Sequence, residues 1–107
     1  WCETERSVAS HHLQQNGFVH AGVLTTIADH SAGGAASTII GADEYVLTLE
    51  FKLNLLRSAS GEKLRCRAQV LRAGGSFTVV ESEVYSINQD KAILSAKGIF
   101  TMAVLEK

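Results

Sequence analysis

The spacing of apolar residues changes once along the chain, and this change separates a helix from a series of strands. Over residues 22–39 the apolar positions recur at steps of three and four, which predicts a helix with a wide apolar face. Small residues at 32–36 would let another element approach this helix closely, and Gly41 is the expected stop signal. The apolar positions of the helix are Leu24, Ile27, Ala28, Ala32, Ala35, Ala36 and Ile39.

Beyond Gly41 the period becomes two, which is typical of strands with one buried face. A long strand is predicted over residues 45–55, and its apolar side chains are expected to share a buried face: Tyr45, Leu47, Leu49, Phe51, Leu53 and Leu55. Further strands are predicted at 64–70, 77–86 and 92–104, with turns at 58–62, 73–76 and 88–91. In the last strand one face is marked by Ala92, Leu94, Ala96, Gly98, Phe100, Met102 and Val104.

These elements predict an α+β fold. Residues 1–8 are interpreted as a short first strand, and Asn16-Gly17 marks a turn before the helix. The order of strand, helix and four antiparallel strands indicates a sheet that wraps around the apolar helix. We expect residues 1–107 to form a single domain. The free edge of the sheet and the small-residue face of the helix could pair with a second subunit, since so short a chain buries a modest share of its surface.

Composition and charge exclude several classes of function. Hydrophobic residues make up 46% of the chain and charged residues 20%, which is typical of globular proteins. The net charge is −1 and the basic residues are dispersed, so neither a nucleic-acid partner nor a membrane patch is expected. No run of eighteen apolar residues and no signal peptide is visible, so a cytoplasmic location is expected, although Trp1 suggests a trimmed N-terminus. Cys2 and Cys66 could form at most one disulfide, and the alternating pattern around Cys66 indicates a buried thiol.

The candidate chemistry is concentrated at the start of the predicted helix. Backbone N–H groups near Ala21 and Gly22 would lie at its N-terminus, where unpaired donors and the helix dipole suit an oxyanion or a polarised carbonyl. Asp29 follows about two turns later between alanines, where a carboxylate has no packing reason to be and could act as base or nucleophile. Gln14 offers an amide that could orient water or substrate.

Simpler interpretations exist for each of these residues. An isolated Asp within a helix is more often solvated than catalytic, and His20 is expected to fix its loop. His11 and His12 are expected to be exposed. A metal site built from the histidines and Asp29 lacks tight ligand spacing, so none is expected.

The same residues resemble a known family. Residues 16–24, Asn-Gly-Phe-Val-His-Ala-Gly-Val-Leu, followed by Ile-Ala-Asp at 27–29, look like the phenylacetate-pathway (PaaI-like) hotdog thioesterases, which carry His-Gly-Gly and then Leu-Ala-Asp with the same separation. The likeness continues through residues 49–57, 70–74, 80–84 and 96–101, and so covers nearly the whole chain. It implies a five-stranded antiparallel sheet wrapped around one long central helix, and an acyl-CoA thioesterase with no cofactor beyond the CoA of its substrate.

The resemblance also implies roles for individual residues. Asp29 matches the catalytic acid, Ala21 the first glycine of His-Gly-Gly, and Gln14 a residue that positions the water or thioester. Thr48 falls where relatives place Ser or Thr near the water. The turn that meets pantetheine or phosphates is matched by Arg72, Gly74, Gly75 and Ser76. Active sites of the family form between two subunits, which implies a homodimer or homotetramer.

The sequence also departs from the family pattern. His20-Ala21-Gly22 replaces His-Gly-Gly, which keeps the N–H if φ at Ala21 is negative but crowds the approach of substrate. Arg57-Ser58 replaces the usual Arg-Pro, and basic residues often found after Gly74 are absent. Phosphate contacts could then come from Arg57, Lys63, Arg65 or Lys97, each equally well interpreted as a surface charge.

We therefore predict acyl-CoA thioester hydrolysis, with two alternatives. A hotdog hydratase or dehydratase would use a His about fourteen residues before the helix acid, where this chain has Gln15. A non-catalytic module that binds or senses acyl-CoA would have no need of Asp29 as a base. Direct attack by Asp29 and activation of water are not distinguished by the sequence, and neither is the acyl group.

Overall fold

The computed structural model describes residues 2–7, 21–57 and 63–107, which form one helix and five strands. The elements, in chain order, are β1 (Cys2–Ser7), α1 (Ala21–Ser37), β2 (Glu44–Leu55), β3 (Lys63–Ala73), β4 (Phe77–Asn88) and β5 (Lys91–Glu106). The predicted order of elements is confirmed. The helix starts one residue earlier than predicted and ends at Ser37, because residues 38–40 form a turn. The predicted turns at Asn16-Gly17 and 58–62 lie outside the described residues.

All five strands belong to one antiparallel sheet with the order β1-β3-β4-β5-β2. The strands β3, β4 and β5 follow one another through tight turns, so β1 and β2 become the two edges. The β3–β4 turn is closed by a 2.8 Å hydrogen bond from the N–H of Gly74 to the carbonyl oxygen of Phe77. A Cβ at Gly74 would lie 2.6 Å from that oxygen, so the turn requires glycine there.

The helix packs across one face of this sheet, called here the inner face, and the core lies between them. Ala32, Ala35 and Ala36 are fully buried against the strands, so the small-residue face of α1 is taken up by the chain's own sheet. These three alanines are therefore not open to a second subunit, whereas Gly33 of the same stretch is partly exposed with open space beside it, so the pairing suggested by the sequence stays a prediction. The sheet contributes Leu64, Cys66, Ala68, Val80, Val84, Ala96, Phe100 and Met102 to the core.

The prediction that β2 has a single buried apolar face is wrong, and a β-bulge is the reason. Thr48 pairs with Met102 and Glu50 with Thr101, which leaves Leu49 as an extra residue between them. Because side chains alternate along a strand, this insertion exchanges the two faces of β2. Tyr45 and Leu47 lie on the outer face, whereas Phe51, Leu53 and Leu55 lie on the inner face with Thr48.

A second bulge corrects the predicted face of the last strand. Val84 pairs with Ala96 and Tyr85 with Leu94, so Ser95 is the extra residue of β5. Ala96 and Phe100 are buried on the inner face as expected. Leu94 instead pairs with the outward-facing Tyr85, and the Ser95 hydroxyl contacts that of Ser86 at 2.6 Å on the inner side.

One half of the outer face carries a charged ladder whose sign alternates from strand to strand. Acidic residues of β1 and β4 flank basic residues of β3, and the basic residue of β5 follows. The ion pairs join Lys63 and Arg65 to Glu5, Arg67 to Glu3, and Lys97 to Glu81 and Glu83. The Arg65 guanidinium, more than the Lys63 ammonium, holds the pKa of Glu5 below its usual value. Each pair is at least partly exposed and contributes little individually.

Candidate functional site

Asp29 and Thr48, two of the residues singled out from the sequence, are joined by a hydrogen bond. Asp29 projects from the middle of α1 toward β2 and is half-buried. The Thr48 hydroxyl donates to its Oδ1 at 2.7 Å. The bulge at Leu49 makes this possible, because it keeps Thr48 on the inner face while the following residues realign with Phe100. The carboxylate is thus fixed in direction while part of it stays open to solvent or a ligand.

Ala21 and Gly22 form the N-terminus of α1, as predicted, and both are exposed. Among the described residues other than glycine, only Gln89 has a positive φ, so Ala21 keeps an ordinary helical conformation and its N–H. The Thr25 and Thr26 hydroxyls donate to the carbonyl oxygens of Ala21 and Gly22, at 2.9 and 2.8 Å. The first N–H groups of a helix have no acceptor within the helix itself, so those at Ala21 and Gly22 are donors of the kind that can hold an oxyanion.

These donors and Asp29 of the same chain are too far apart to act on one carbonyl group. Eight residues separate Ala21 from Asp29, which corresponds to about 12 Å along the helix axis. A carbonyl oxygen bound at the N–H groups and a nucleophile at its carbon would each need contacts of about 3 Å. A reactive centre that uses both features must therefore combine the helix N-terminus of one chain with the carboxylate of another.

A groove of about 640 Å³ opens between β1 and the first half of α1. Val23 and Ile27 provide its apolar floor, and Thr26 and His30 lie toward its rim. The strand side is formed by Thr4, Glu5 and Arg6, and Gly22 links the groove to the helix N-terminus. This size is typical of pockets for small organic molecules. The sequence pattern did not indicate the groove, because contacts between β1 and α1 join residues distant along the chain.

The β3–β4 turn contains Gly74, Gly75 and Ser76, and Arg72 precedes it on β3. Within the described part of the chain, Arg57 and Arg72 have no carboxylate partner. Lys63, Arg65 and Lys97, the other possible phosphate ligands, are paired with glutamates in the charged ladder. Of the basic residues considered from the sequence, Arg57 and Arg72 are therefore the ones available to an anionic ligand.

The two cysteines are free thiols and are not joined by a disulfide. Cys66 is fully buried, as expected, and burial raises the pKa of its thiol. Cys2 is half-buried, and its Sγ lies where a Cβ on Gly34 would come within 2.9 Å. Cys66 therefore lacks the exposed surroundings of a reactive thiolate.

Several sequence-based candidates lie outside the described residues: Gln14, His20, His11 and His12. In the described ranges no three His, Cys, Asp or Glu side chains come together as a metal-binding group. No helix in those ranges is long and apolar enough to cross a membrane.

Comparison with known proteins shows the family to which this chain is similar. Residues 16–93 match the model of the thioesterase superfamily. Over 71 residues the chain is 32% identical to the 1,4-dihydroxy-2-naphthoyl-CoA hydrolase of Listeria monocytogenes. That match covers 66% of this chain and 58% of the Listeria protein, so the chain spans less than two thirds of that relative.

Solved structures show the same architecture. A thioesterase family protein from Silicibacter pomeroyi superposes with a TM-score of 0.96 at 32% identity, over 98% of this chain and 77% of that protein. A Bacillus halodurans protein crystallised with CoA superposes with a TM-score of 0.90 at 23% identity, over 96% of this chain and 66% of that one. The latter likeness supports the fold. The sheet and helix described above thus form a hotdog-like thioesterase fold.

Proposed function

The chain belongs to the thioesterase superfamily, and on this premise we propose that it hydrolyses acyl-CoA thioesters to the free acid and CoA. The observation that carries the proposal is the half-buried Asp29 carboxylate, held by the Thr48 hydroxyl at 2.7 Å. The relative from Listeria monocytogenes is named as a hydrolase of a CoA ester, which favours the same reaction class. The likeness of residues 16–29 to the phenylacetate-pathway thioesterases supports placing the chain in that group.

The reaction needs a base or nucleophile and a set of donors, and the chain offers both. In one form, Asp29 takes a proton from water, whose oxygen attacks the thioester carbon. The C–S bond then breaks, and Asp29 returns the proton to the leaving CoA thiolate. In the other, the Asp29 carboxylate attacks the thioester carbon directly, the C–S bond breaks to expel CoA thiolate, and water hydrolyses the resulting mixed anhydride to the acid and free Asp29. In both forms the helix N–H groups would stabilise the oxyanion. Neither metal nor redox cofactor takes part.

The site is proposed to lie between two copies of the chain. The separation of about 12 Å between the helix N-terminus and Asp29 requires that each come from a different subunit. The two edges of the sheet differ in a way that favours β2 as the shared edge. The side chains of β1 include Glu3 and Glu5, which would repel a second β1, whereas β2 exposes apolar side chains such as Phe51 and Leu55.

The groove and the β3–β4 turn are proposed as the binding surfaces for the two ends of the substrate. The groove adjoins Gly22, so an acyl group whose carbonyl meets the helix N-terminus can extend over Val23 and Ile27. Arg72, which has no carboxylate partner among the described residues, is proposed to meet the CoA phosphates beside Gly74–Ser76. This leaves aryl, medium-chain and branched acyl groups as candidate substrates.

The first test is thiol release from a panel of acyl-CoAs, for the wild type and for Asp29→Asn and Asp29→Ala. Asn keeps the size of the side chain and can accept the Thr48 hydrogen bond, so it removes the base with little structural change. We expect a loss of about a hundredfold or more, typical of removing a general base. No release by the wild type, or equal rates in all three proteins, would favour a module that only binds acyl-CoA.

A second test asks whether the site is shared. Ala21→Pro removes the N–H at the first helical position, where proline is tolerated, and so impairs the donors while Asp29 is kept. Asp29→Ala keeps the donors and removes the carboxylate. Random mixing gives mixed dimers in half of the molecules, each with one intact site, so about a quarter of the wild-type rate should return. A mixture no more active than its parents would contradict a shared site.

A hydratase or dehydratase is the remaining alternative. It would interconvert an enoyl thioester and a hydroxyacyl thioester without releasing thiol. The same acyl-CoA panel, followed by ultraviolet absorbance of the enoyl group, distinguishes it from hydrolysis.

A further inference from the structure

One turn of α1 is hydrogen-bonded to three different strands, and this turn carries Asp29. The Asp29 carboxylate accepts the hydrogen bond from β2 described above. The carbonyl oxygen of Ala28 accepts one from the Ser82 hydroxyl of β4 at 2.8 Å. The hydroxyl of Ser31 is hydrogen-bonded to that of Thr4 on β1. Since β1 and β2 are the two edges of the sheet and β4 is its middle strand, the turn is held from both edges and from the middle.

Helical geometry explains why one turn can reach three strands. Successive residues of an α-helix are rotated by about 100° around its axis. Asp29 therefore points about 100° to one side of Ala28, and Ser31 points about 60° to the other side. Ala28 is fully buried against the sheet. The two side chains thus reach opposite edge strands, while the backbone between them lies over β4.

The packing around Ser82 consists of small residues. Ser82 is fully buried and pairs with Ala68 on one side and Gly98 on the other. Ala28 and Ala32 of the helix are fully buried as well. Small side chains let a helix approach a sheet closely, but they provide few ridges and grooves that would fix its position along the sheet. A hydrogen bond adds this restraint, because it weakens steeply when its distance or angle changes.

The hydroxyls of Ser31 and Ser82 both lie beside the thiol of Cys66. Burial raises the pKa of this thiol, and the two hydroxyls act against that effect as hydrogen-bonding neighbours. Polar groups therefore run through the core from Thr4 on β1 to Ser82 on β4. Buried polar groups that satisfy one another favour a single arrangement of the surrounding core. The turn that carries Asp29 is part of this arrangement.

We infer that Ser82 is a positioning residue for Asp29, because its hydrogen bond to the Ala28 carbonyl fixes the turn from which the carboxylate projects. Ser82 is fully buried beneath the helix, so it acts through this turn and not on the substrate. The inference rests on the proposed hydrolysis and deepens it by naming what sets the position of the base or nucleophile. A displacement of about 1 Å in a reacting group can cost about a hundredfold in rate, so a small shift of this turn is measurable.

Ser82→Ala tests the inference, and Ser86→Ala is the matched control. Ser86 is a buried serine of the same strand and the same face, but its hydroxyl is hydrogen-bonded to Ser95 of β5. Each variant loses one buried hydrogen bond, so the Tm should fall by a similar amount in both. We expect kcat for thiol release to fall about tenfold in Ser82→Ala, with KM unchanged, and to stay within about twofold of the wild type in Ser86→Ala.

A second measurement does not depend on activity. The NMR signals of the Asp29 carboxyl carbon and of the Thr48 methyl group should shift in Ser82→Ala and stay in place in Ser86→Ala. If the wild type releases no thiol from any acyl-CoA, the proposed hydrolysis fails, and these signals alone decide the inference. Far-ultraviolet circular dichroism verifies that both variants are folded.

Wild-type kcat in Ser82→Ala would overturn the inference, and so would unchanged signals of Asp29 and Thr48. An equal loss of kcat in Ser86→Ala would also overturn it, because the loss of any core hydrogen bond would then have the same effect. In the Asp29→Asn background, Ser82→Ala should leave the remaining rate unchanged. The same further loss in that background would show that Ser82 does not act through the carboxylate.

Discussion

Replacing Thr48 with valine removes the hydroxyl that holds Asp29 while keeping the shape of the side chain. The lost interaction is a 2.7 Å hydrogen bond to a carboxylate. Bonds of this type contribute about 1.5–3 kcal/mol. If the valine variant must supply that free energy to orient Asp29 between the bound state and the transition state, kcat should fall roughly 10- to 150-fold. Valine is β-branched like threonine and suits the strand, so the loss of stability should not exceed the contribution of the lost hydrogen bond.

The measurement is thiol release at saturating acyl-CoA, with Thr48→Ser as the control that keeps a hydroxyl. Serine should retain most of the wild-type kcat, because its oxygen can still donate to Asp29. Cys66 is buried, and a blank without acyl-CoA subtracts the reaction of the thiol reagent with the partly exposed Cys2. Wild-type kcat in the valine variant would refute the view that this hydrogen bond positions the catalytic carboxylate.

Three further predictions concern the groove, the core and the charged ladder. Thr26→Trp should narrow the groove and shift the preference in the acyl-CoA panel toward smaller acyl groups, and an unchanged profile would remove the groove from the substrate's path. Thr78→Val should raise Tm by about 4–8 °C per kcal/mol gained, because the buried Thr78 hydroxyl has no partner among the described residues, and calorimetry measures this. Glu5→Gln should cost stability near neutral pH, and the difference should vanish as pH falls. The Arg65 and Lys63 contacts lower the pKa of Glu5 in the folded protein below 4.5, its value in an unfolded chain. Their contribution to the free energy of unfolding is therefore fully present above pH 4.5 and is lost as the pH falls through the pKa of the folded state. Urea unfolding at several pH values tests this, and a difference that persists in acid would contradict it.

The order of the elements could be predicted from the sequence because the spacing of apolar residues is a local property. A step of three to four residues marks the helix, and a step of two marks each strand. The prediction failed at β2, where the repeat from Tyr45 to Leu55 looks unbroken. A bulge moves the side chain of every later residue in the strand to the opposite face of the sheet, but the alternation of apolar and polar residues in the sequence looks the same. Only the pairing with β5 shows that Leu49 is the extra residue. The sequence therefore predicted one buried face, whereas Tyr45 and Leu47 lie on the outer face of the sheet and Phe51, Leu53 and Leu55 lie on the inner face.

The candidate site was predicted in part for a similar reason. Asp29 and the helix start could be recognised from a carboxylate among alanines and from the position of the first helical turn. Thr48 came from the resemblance to a family, because nothing local in β2 shows that its hydroxyl reaches α1 at 2.7 Å. The groove depends on β1 and α1 meeting across distant parts of the chain, which periodicity does not encode.

The charged ladder also bears on how the chain assembles. The strands β3, β4 and β5 are joined by turns of two or three residues, so they can pair early, whereas β1 must find β3 from nearly 60 residues away. The acidic side chains of β1 are complementary to the basic outer side of β3. The outer side of β4 is acidic, so it would repel β1. The alternating charges thus favour the pairing of β1 with β3 over its pairing with β4. Because β1 joins the sheet last, native-state hydrogen exchange should show the β1 amides exchanging faster than those of β4.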